Sequence, residues 1–127
     1  MNNEKSGFQR KDESQMESTS FYMKIKPEGI EGYKNIHKKG NVWKEVLENL
    51  KNAGFGKMKI YMLDNYAICY VEADNIAKAF EYLGKQPDTP KWNEATEAFM
   101  DTQPEYGSDE VVKYLDCVFD FENGEQK

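Results

Sequence analysis

The sequence lacks several features that would define a function class. It has a single histidine, only two cysteines and no apolar run near the about 20 residues that a membrane-spanning helix needs. Its net charge is −6 and its lysines form no basic face, which argues against nucleic acid or an anionic membrane as a partner. The N-terminus carries no apolar signal-peptide core. We therefore expect a protein that binds neither membranes nor nucleic acid.

The cysteines also argue against a metal site. Cys69 and Cys117 each lie within an apolar run, which predicts two reduced and buried thiols and therefore a cytoplasmic location. Neither has a second cysteine or a histidine at the spacing of metal ligands. No metal site is therefore predicted.

The length of 127 residues suits one domain. Both ends are polar and of mixed charge, which is typical of segments outside a packed core. We predict a disordered leader over residues 1–19, a folded domain over residues 20–122 and a flexible tail over residues 123–127.

Apolar periodicity predicts the order of the elements. Phe21, Met23 and Ile25 alternate with polar residues in a first strand, and two more alternating runs flank a tight turn at Asp64-Asn65. One face is shared by Met58, Ile60 and Met62 in the first of these runs and by Ala67, Cys69 and Val71 in the second. A last strand over residues 111–121 would turn Leu115, Cys117, Phe119 and Phe121 towards the core. Helices are predicted from Pro27 to His37, from Val42 to Ala53, from Asn75 to Leu83 and from Lys91 to Met100.

This order predicts an α+β fold, the ferredoxin-like split βαβ plait, with an antiparallel sheet and helices on one face. In its usual strand order, 4-1-3-2, the first strand separates the strands that carry Cys69 and Cys117. Strands lie about 4.8 Å apart, so the two cysteines would be about 10 Å apart, too far for a disulfide.

The sheet face without helices is predicted to be unusually aromatic. It would carry Tyr22, Lys24, Lys59, Tyr61, Tyr66, Ile68, Tyr70, Glu72, Tyr114, Asp116, Val118 and Asp120. Five tyrosines and two aliphatic side chains are a large apolar area to leave in water. By analogy with other plaits, we expect a homodimer that covers this face.

His37 is the main candidate for chemistry. Its side-chain pKa of about 6.5 in the absence of perturbation suits proton transfer near neutral pH, and Tyr33 lies one helical turn before it. The residues alone leave an alternative open, because a lone histidine beside two lysines is also typical of a surface. Trp43 and Trp92 are likewise consistent with core packing as well as with a ligand wall.

Several segments together resemble the L-rhamnose mutarotase family. They are "FYMKIKPEGIEGYKNIH", "VWKEVLENLKNAGF", "IYMLDNYAICYVE", "KWNEATEAFM" and "LDCVFDF". The resemblance implies a dimeric ferredoxin-like α/β barrel that interconverts the α and β anomers of L-rhamnose without a cofactor.

The same resemblance implies roles for particular residues. It makes His37 the proton donor and makes Tyr33 and Trp92 sugar contacts. Trp43 resembles the tryptophan that follows the family's histidine. Met58 stands where the family commonly has a sugar-contacting tyrosine, and Asn93 stands where some members have a second tryptophan.

The chemistry of mutarotation is consistent with so small a set of groups. The reaction opens and recloses a hemiacetal, so one acid–base group can carry it without a metal or a nucleophile. Alternatives are a cofactor-independent monooxygenase or a haem-binding protein of the same plait, and a non-catalytic sugar-binding paralogue.

Overall fold

The computed structural model describes residues 16–101 and 113–127, and its main sheet has the predicted strand order. Strands β1 (Glu17–Lys24), β2 (Phe55–Leu63), β3 (Tyr66–Ala73) and β4 (Lys113–Tyr114) are arranged as β2-β3-β1-β4. Every neighbouring pair in this sheet is antiparallel. The α+β class and the ferredoxin-like plait are therefore confirmed.

Within the described residues, four α-helices accompany the sheet. They are α1 (Ile30–Ile36), which follows a 3-10 turn at Pro27–Gly29, α2 (Lys44–Ala53), α3 (Ile76–Gly84) and α4 (Asp88–Glu97). Gly54 ends α2 with a φ of 100°, the left-handed conformation that favours glycine. Asn75 begins α3, where its side chain accepts a hydrogen bond from the Lys78 backbone N–H over 2.9 Å. None of the helices in the described parts of the chain is long and apolar enough to cross a membrane.

Alternation along the central strands produces the core as predicted. The inward residues Phe21, Ile25, Cys69 and Val71 are buried, whereas Met58, Ile60 and Met62 on the edge strand β2 are half-buried. The rings of Phe21 and Phe80 meet edge-on at 5.8 Å, which packs α3 against the sheet. The apolar face of the sheet and the helices therefore share one core.

The turn between β2 and β3 is also as predicted. Leu63 pairs with Tyr66, so Asp64 and Asn65 form a two-residue connection, and Asp64 has a φ of 53°. The side-chain N–H of Asn65 donates to the carbonyl oxygen of Ile25 over 3.1 Å. This bond ties the hairpin to the end of β1.

The predicted last strand is wrong in length and in phase. β4 contains only Lys113 and Tyr114, and Tyr114 pairs with Phe21, so its ring lies on the helix side of the sheet, 5.6 Å from that of Phe21. Leu115, Phe119 and Phe121 are exposed, and so is Cys117. Alternation favoured the phase of Leu115 as inward, because the other phase carries Asp116 and Asp120. The strand ends at Tyr114, however, so the residues after it are not in the sheet and only the pairing of Tyr114 sets which side faces the core. Residues 111–112 lie outside the described part.

The two cysteines are free thiols, Cys69 buried and Cys117 exposed. The prediction of a buried Cys117 is therefore wrong, because the chain around it leaves the sheet after Tyr114.

The aromatic face opposite the helices is largely as predicted. The pairings Tyr22 with Ile68, Tyr61 with Ile68, and Lys24 with Tyr66 place these side chains together on that side. Tyr61 is 57% exposed and Leu63, which sequence reasoning did not include, is 60% exposed. Tyr114 does not belong to this face, and the predicted members Asp116, Val118 and Asp120 lie beyond the end of β4, outside the sheet. We call the remaining set the open face, with Tyr22, Tyr61, Leu63, Tyr66 and Ile68 as its apolar part.

The ends of the domain differ from the predicted boundaries. β1 begins at Glu17, so residues 17–19 of the predicted leader belong to the sheet, while residues 1–15 lie outside the described part. At the other end, strands β5 (Phe121–Glu122) and β6 (Glu125–Gln126) pair across a turn at Asn123 and Gly124. The predicted tail therefore contains half of a small hairpin.

Candidate functional site

A cavity of about 340 Å³ lies between the inner face of the sheet and the helices. The sheet contributes Phe21, Met23, Met58, Ile60 and Cys69 to its lining, and α1 and its C-cap contribute Tyr33 and His37. α4 adds Thr89, Trp92, Asn93 and Thr96. The volume falls in the range of small-molecule sites, and apolar walls with a few polar groups are typical of them. The cavity therefore unites five of the six residues singled out from the sequence.

His37 is held at the C-terminal end of α1 by a hydrogen bond of its own ring. Its Nδ1 lies 2.7 Å from the backbone oxygen of Tyr33, one turn earlier. A carbonyl oxygen only accepts, so Nδ1 carries the proton. In the neutral ring, Nε2 then has the free lone pair, and it has no hydrogen-bond partner among the described residues. The geometry leaves one nitrogen of the ring for a ligand.

Burial decides the charge of this ring. Loss of solvent lowers the pKa of His37 below its usual 6.5, and the hydrogen bond to the Tyr33 carbonyl offsets part of that effect. The ring is therefore mostly neutral at pH 7, with Nε2 able to accept a proton. Burial likewise raises the pKa of Cys69, on the sheet side of the cavity, to about 12, so that thiol stays uncharged.

Aromatic rings form a continuous series along one wall. The Tyr33 and His37 rings lie 4.4 Å apart, the His37 and Trp92 rings 5.7 Å apart, and the Trp92 and Trp43 rings 5.1 Å apart. Tyr33 is 4% exposed and Trp92 9%, so both are fixed by packing. The imidazole therefore lies between two immobilised rings.

Trp43 is the one predicted site residue that does not line the cavity. It precedes the first residue of α2, is 37% exposed, and meets the ring of Trp92 edge-on. Its contact with the site in this structure runs through Trp92. Sequence spacing gave no means of separating the two tryptophans, because each is predicted on an amphipathic segment.

Two glycines position α1 above the cavity. A Cβ on Gly29 would lie 2.8 Å from the Phe99 backbone oxygen, and a Cβ on Gly32 would lie 2.2 Å from a ring carbon of Phe99. The same Phe99 oxygen accepts a hydrogen bond from the Lys26 N–H over 2.9 Å. The absence of side chains at these positions lets α1, and with it Tyr33 and His37, approach the chain that follows α4.

Polar groups on α4 were only partly foreseen. Asn93 was predicted, and its side chain makes no hydrogen bond with another described residue. Thr89 and Thr96 were missed, although their spacing of four and three residues from Asn93 is a helical signal visible in the sequence. Asn49 of α2 also lines the cavity, and its side-chain N–H donates to Asp88 over 3.3 Å.

No group of three or more metal-binding side chains occurs within residues 16–101 and 113–127.

Comparison with known proteins identifies the family. Residues 18–121 match the family described as L-rhamnose mutarotase. The chain belongs to this family. The match spans the whole cavity and all of its lining residues, and it makes the protein an isomerase of the mutarotase class.

Two individual proteins illustrate the similarity. A Dictyostelium discoideum protein named UPF0734 is 31% identical over 100 residues, which cover 73% of this chain and 78% of that protein. The crystal structure of an L-rhamnose mutarotase from Formosa agariphila superimposes with a TM-score of 0.67 at 23% identity, covering 84% of this chain and 99% of the other. The second comparison agrees with the fold of this mutarotase-family protein.

Proposed function

We propose that this protein interconverts the α and β anomers of L-rhamnose or a related 6-deoxy sugar, with His37 as the proton-transfer group. The observation that carries the proposal is the state of the imidazole. Nδ1 is engaged by the Tyr33 carbonyl at 2.7 Å, and Nε2 is left for a ligand at a cavity of about 340 Å³. Membership of the L-rhamnose mutarotase family supports the choice of reaction.

The reaction needs one proton to leave the anomeric hydroxyl and one to arrive at the ring oxygen. As the neutral Nε2 of His37 takes the proton from O1, the C1–O5 bond breaks and C1 becomes an aldehyde carbon. The charged ring is then the proton donor, and its Nε2–H protonates O5. Rotation about C1–C2 followed by the reverse steps gives the other anomer. Protons and electron pairs balance without an added reagent, and the lowered pKa of His37 favours the neutral starting form.

Sugar binding is assigned to the groups around the imidazole. Trp92 offers an aromatic face to the C–H side of the sugar, and Tyr33 and Asn93 offer polar atoms. Met23 and Met58 on the sheet are flexible apolar side chains suited to a methyl group. Trp43 contributes through its contact with Trp92.

The test is exchange spectroscopy of the anomeric protons of free sugars, with a non-enzymatic blank. We expect wild-type protein to accelerate exchange of L-rhamnose, and His37→Asn to reduce that rate by about 10²–10⁴-fold. Asparagine is a matched change, because its side-chain N–H can still donate to the Tyr33 carbonyl while the group at the Nε2 position is lost.

Exchange near the wild-type rate in a folded His37→Asn protein would exclude His37 from proton transfer. Binding of L-rhamnose without any acceleration by the wild type would instead favour a non-catalytic sugar-binding protein.

We also propose a cytoplasmic homodimer in which the open face is covered. The exposed tyrosines and Leu63 of that face support a protein partner, since a contiguous apolar area of this kind is costly in water. The free thiols support a reducing compartment. Sedimentation of the wild type at micromolar concentration should give twice the mass of the chain. The Tyr61→Lys variant should sediment as a monomer, because the substitution places a charge in the interface. A monomeric wild type would contradict the assembly, and fractionation that finds the protein outside the cytoplasm would contradict the location.

A further inference from the structure

α4 presents a row of three polar side chains to the cavity. Thr89, Asn93 and Thr96 follow one another at spacings of four and three residues, which places them on one side of a helix. All three line the cavity, and Thr96 is only 4% exposed. It is the one buried polar residue identified in the described core. The row therefore forms a polar wall beside Trp92.

The hydrogen bonds within the row define what each group can offer a ligand. The Thr89 hydroxyl donates to the Leu83 carbonyl over 2.6 Å, and the Thr96 hydroxyl donates to the Asn93 carbonyl over 3.1 Å. Each hydroxyl has thus committed its single proton, and its oxygen remains an acceptor. The Asn93 amide has both a donor and an acceptor available.

The wall opposite this row is chemically different. Met23, Met58, Ile60 and Cys69 line the cavity from the sheet, and none offers a strong hydrogen-bonding group. A ligand between the two walls meets acceptors and an amide on one side and apolar atoms on the other. A 6-deoxy sugar has the same asymmetry, with ring hydroxyls along one edge and a methyl group on C5.

We propose that Thr89 and Thr96 determine specificity by accepting hydrogen bonds from ring hydroxyls of the sugar, so that the hydroxyl edge faces α4 and the methyl group faces the sheet. The inference rests on the proposed mutarotase activity and adds the orientation of the substrate. A site built to bond a hydroxyl discriminates strongly against an analogue that lacks it, whereas an apolar wall discriminates weakly. The hydroxyl-reading part of the site would then be α4.

The experiment compares L-rhamnose with its three monodeoxy analogues that lack the hydroxyl on C2, C3 or C4. Anomer exchange gives kcat/KM for each sugar with the wild type, Thr89→Val, Thr96→Val and the matched Thr96→Ser. We expect each valine variant to lower the preference for L-rhamnose over one particular analogue by about tenfold. L-rhamnose loses a hydrogen bond to the threonine oxygen, whereas the analogue without that hydroxyl never made this bond and loses nothing. Thr96→Ser keeps the acceptor, so its preference should follow the wild type.

An equal loss of kcat/KM on all four sugars would mean that the threonines act only through the packing of α4, and unchanged kcat/KM values on all four would mean that they do not touch the sugar. Either result would overturn the inference. If Thr96→Val fails to fold, Thr89→Val decides by the same ratio. A wild type that exchanges none of the four sugars would instead refute the mutarotase activity itself.

Discussion

Gly29→Ala tests whether the close packing of α1 against Phe99 positions the imidazole of His37. The new Cβ would lie 2.8 Å from the Phe99 oxygen and 2.9 Å from its Cα, closer than such atoms approach in folded proteins. Both are backbone atoms, and the oxygen is already bonded to the Lys26 N–H. Gly29 has φ −98° and ψ −2°, which alanine adopts, so the cost is steric.

The magnitude follows from two opposing terms. Overpacking in a filled site costs about 1–3 kcal/mol. The higher helix propensity of alanine stabilises the fold by at most about 1 kcal/mol relative to glycine, and by less at the start of a helix than in its interior. We expect Gly29→Ala to lose about 1–2 kcal/mol of unfolding free energy in urea. Because α1 must move, we also expect a fall in kcat of about 10²-fold through displacement of His37.

Gly32→Ala is the matched control for this reasoning. Its Cβ would meet ring atoms of Phe99, 2.2 Å away at the nearest, and no backbone atom of that residue is among its three nearest contacts. Shortening that side chain with Phe99→Leu should therefore relieve Gly32→Ala but not Gly29→Ala. A Gly29→Ala protein with wild-type stability and exchange rate, or one rescued by Phe99→Leu, would refute the argument.

Three further results are expected. The lowered pKa of His37 predicts that kcat/KM rises with pH through a midpoint below 6.5 and then levels off, and a rate that falls as pH rises would contradict proton uptake by the neutral ring. Because protonation favours the unfolded chain, whose histidine keeps a pKa of about 6.5, the free energy of unfolding should fall as pH drops below that value, and less so in His37→Asn. Met58→Tyr adds a hydroxyl to the cavity and should sharpen the preference for L-rhamnose over L-mannose and L-fucose; an unchanged ratio of exchange rates would argue against this.

The sequence alone determined those elements whose residue pattern is compatible with only one local structure. The turn at Asp64-Asn65, the inward residues of β1 and β3 and the end of α2 at Gly54 were all predictable. Each depends on a local rule, either a period of two or a residue with a special backbone conformation. The family resemblance likewise rests on the order and spacing of short segments, and it was visible before the fold.

Tertiary structure alone decided where these patterns are ambiguous. After Lys113, alternation assigned the phase of Leu115 to the core, and only the pairing of Tyr114 with Phe21 of β1 showed that Tyr114 faces the helices. The sequence does not distinguish Trp43 from Trp92, because both are predicted on amphipathic segments. Only packing showed that Trp92 lines the cavity, whereas Trp43 contacts Trp92 and does not line it.

The charge of the catalytic candidate was also decided by the tertiary structure. Tyr33 and His37 are one turn apart in any helix, but the pKa of the imidazole depends on how much water the surrounding elements remove. Desolvation is a property of packing between elements distant in sequence, and no local pattern encodes it.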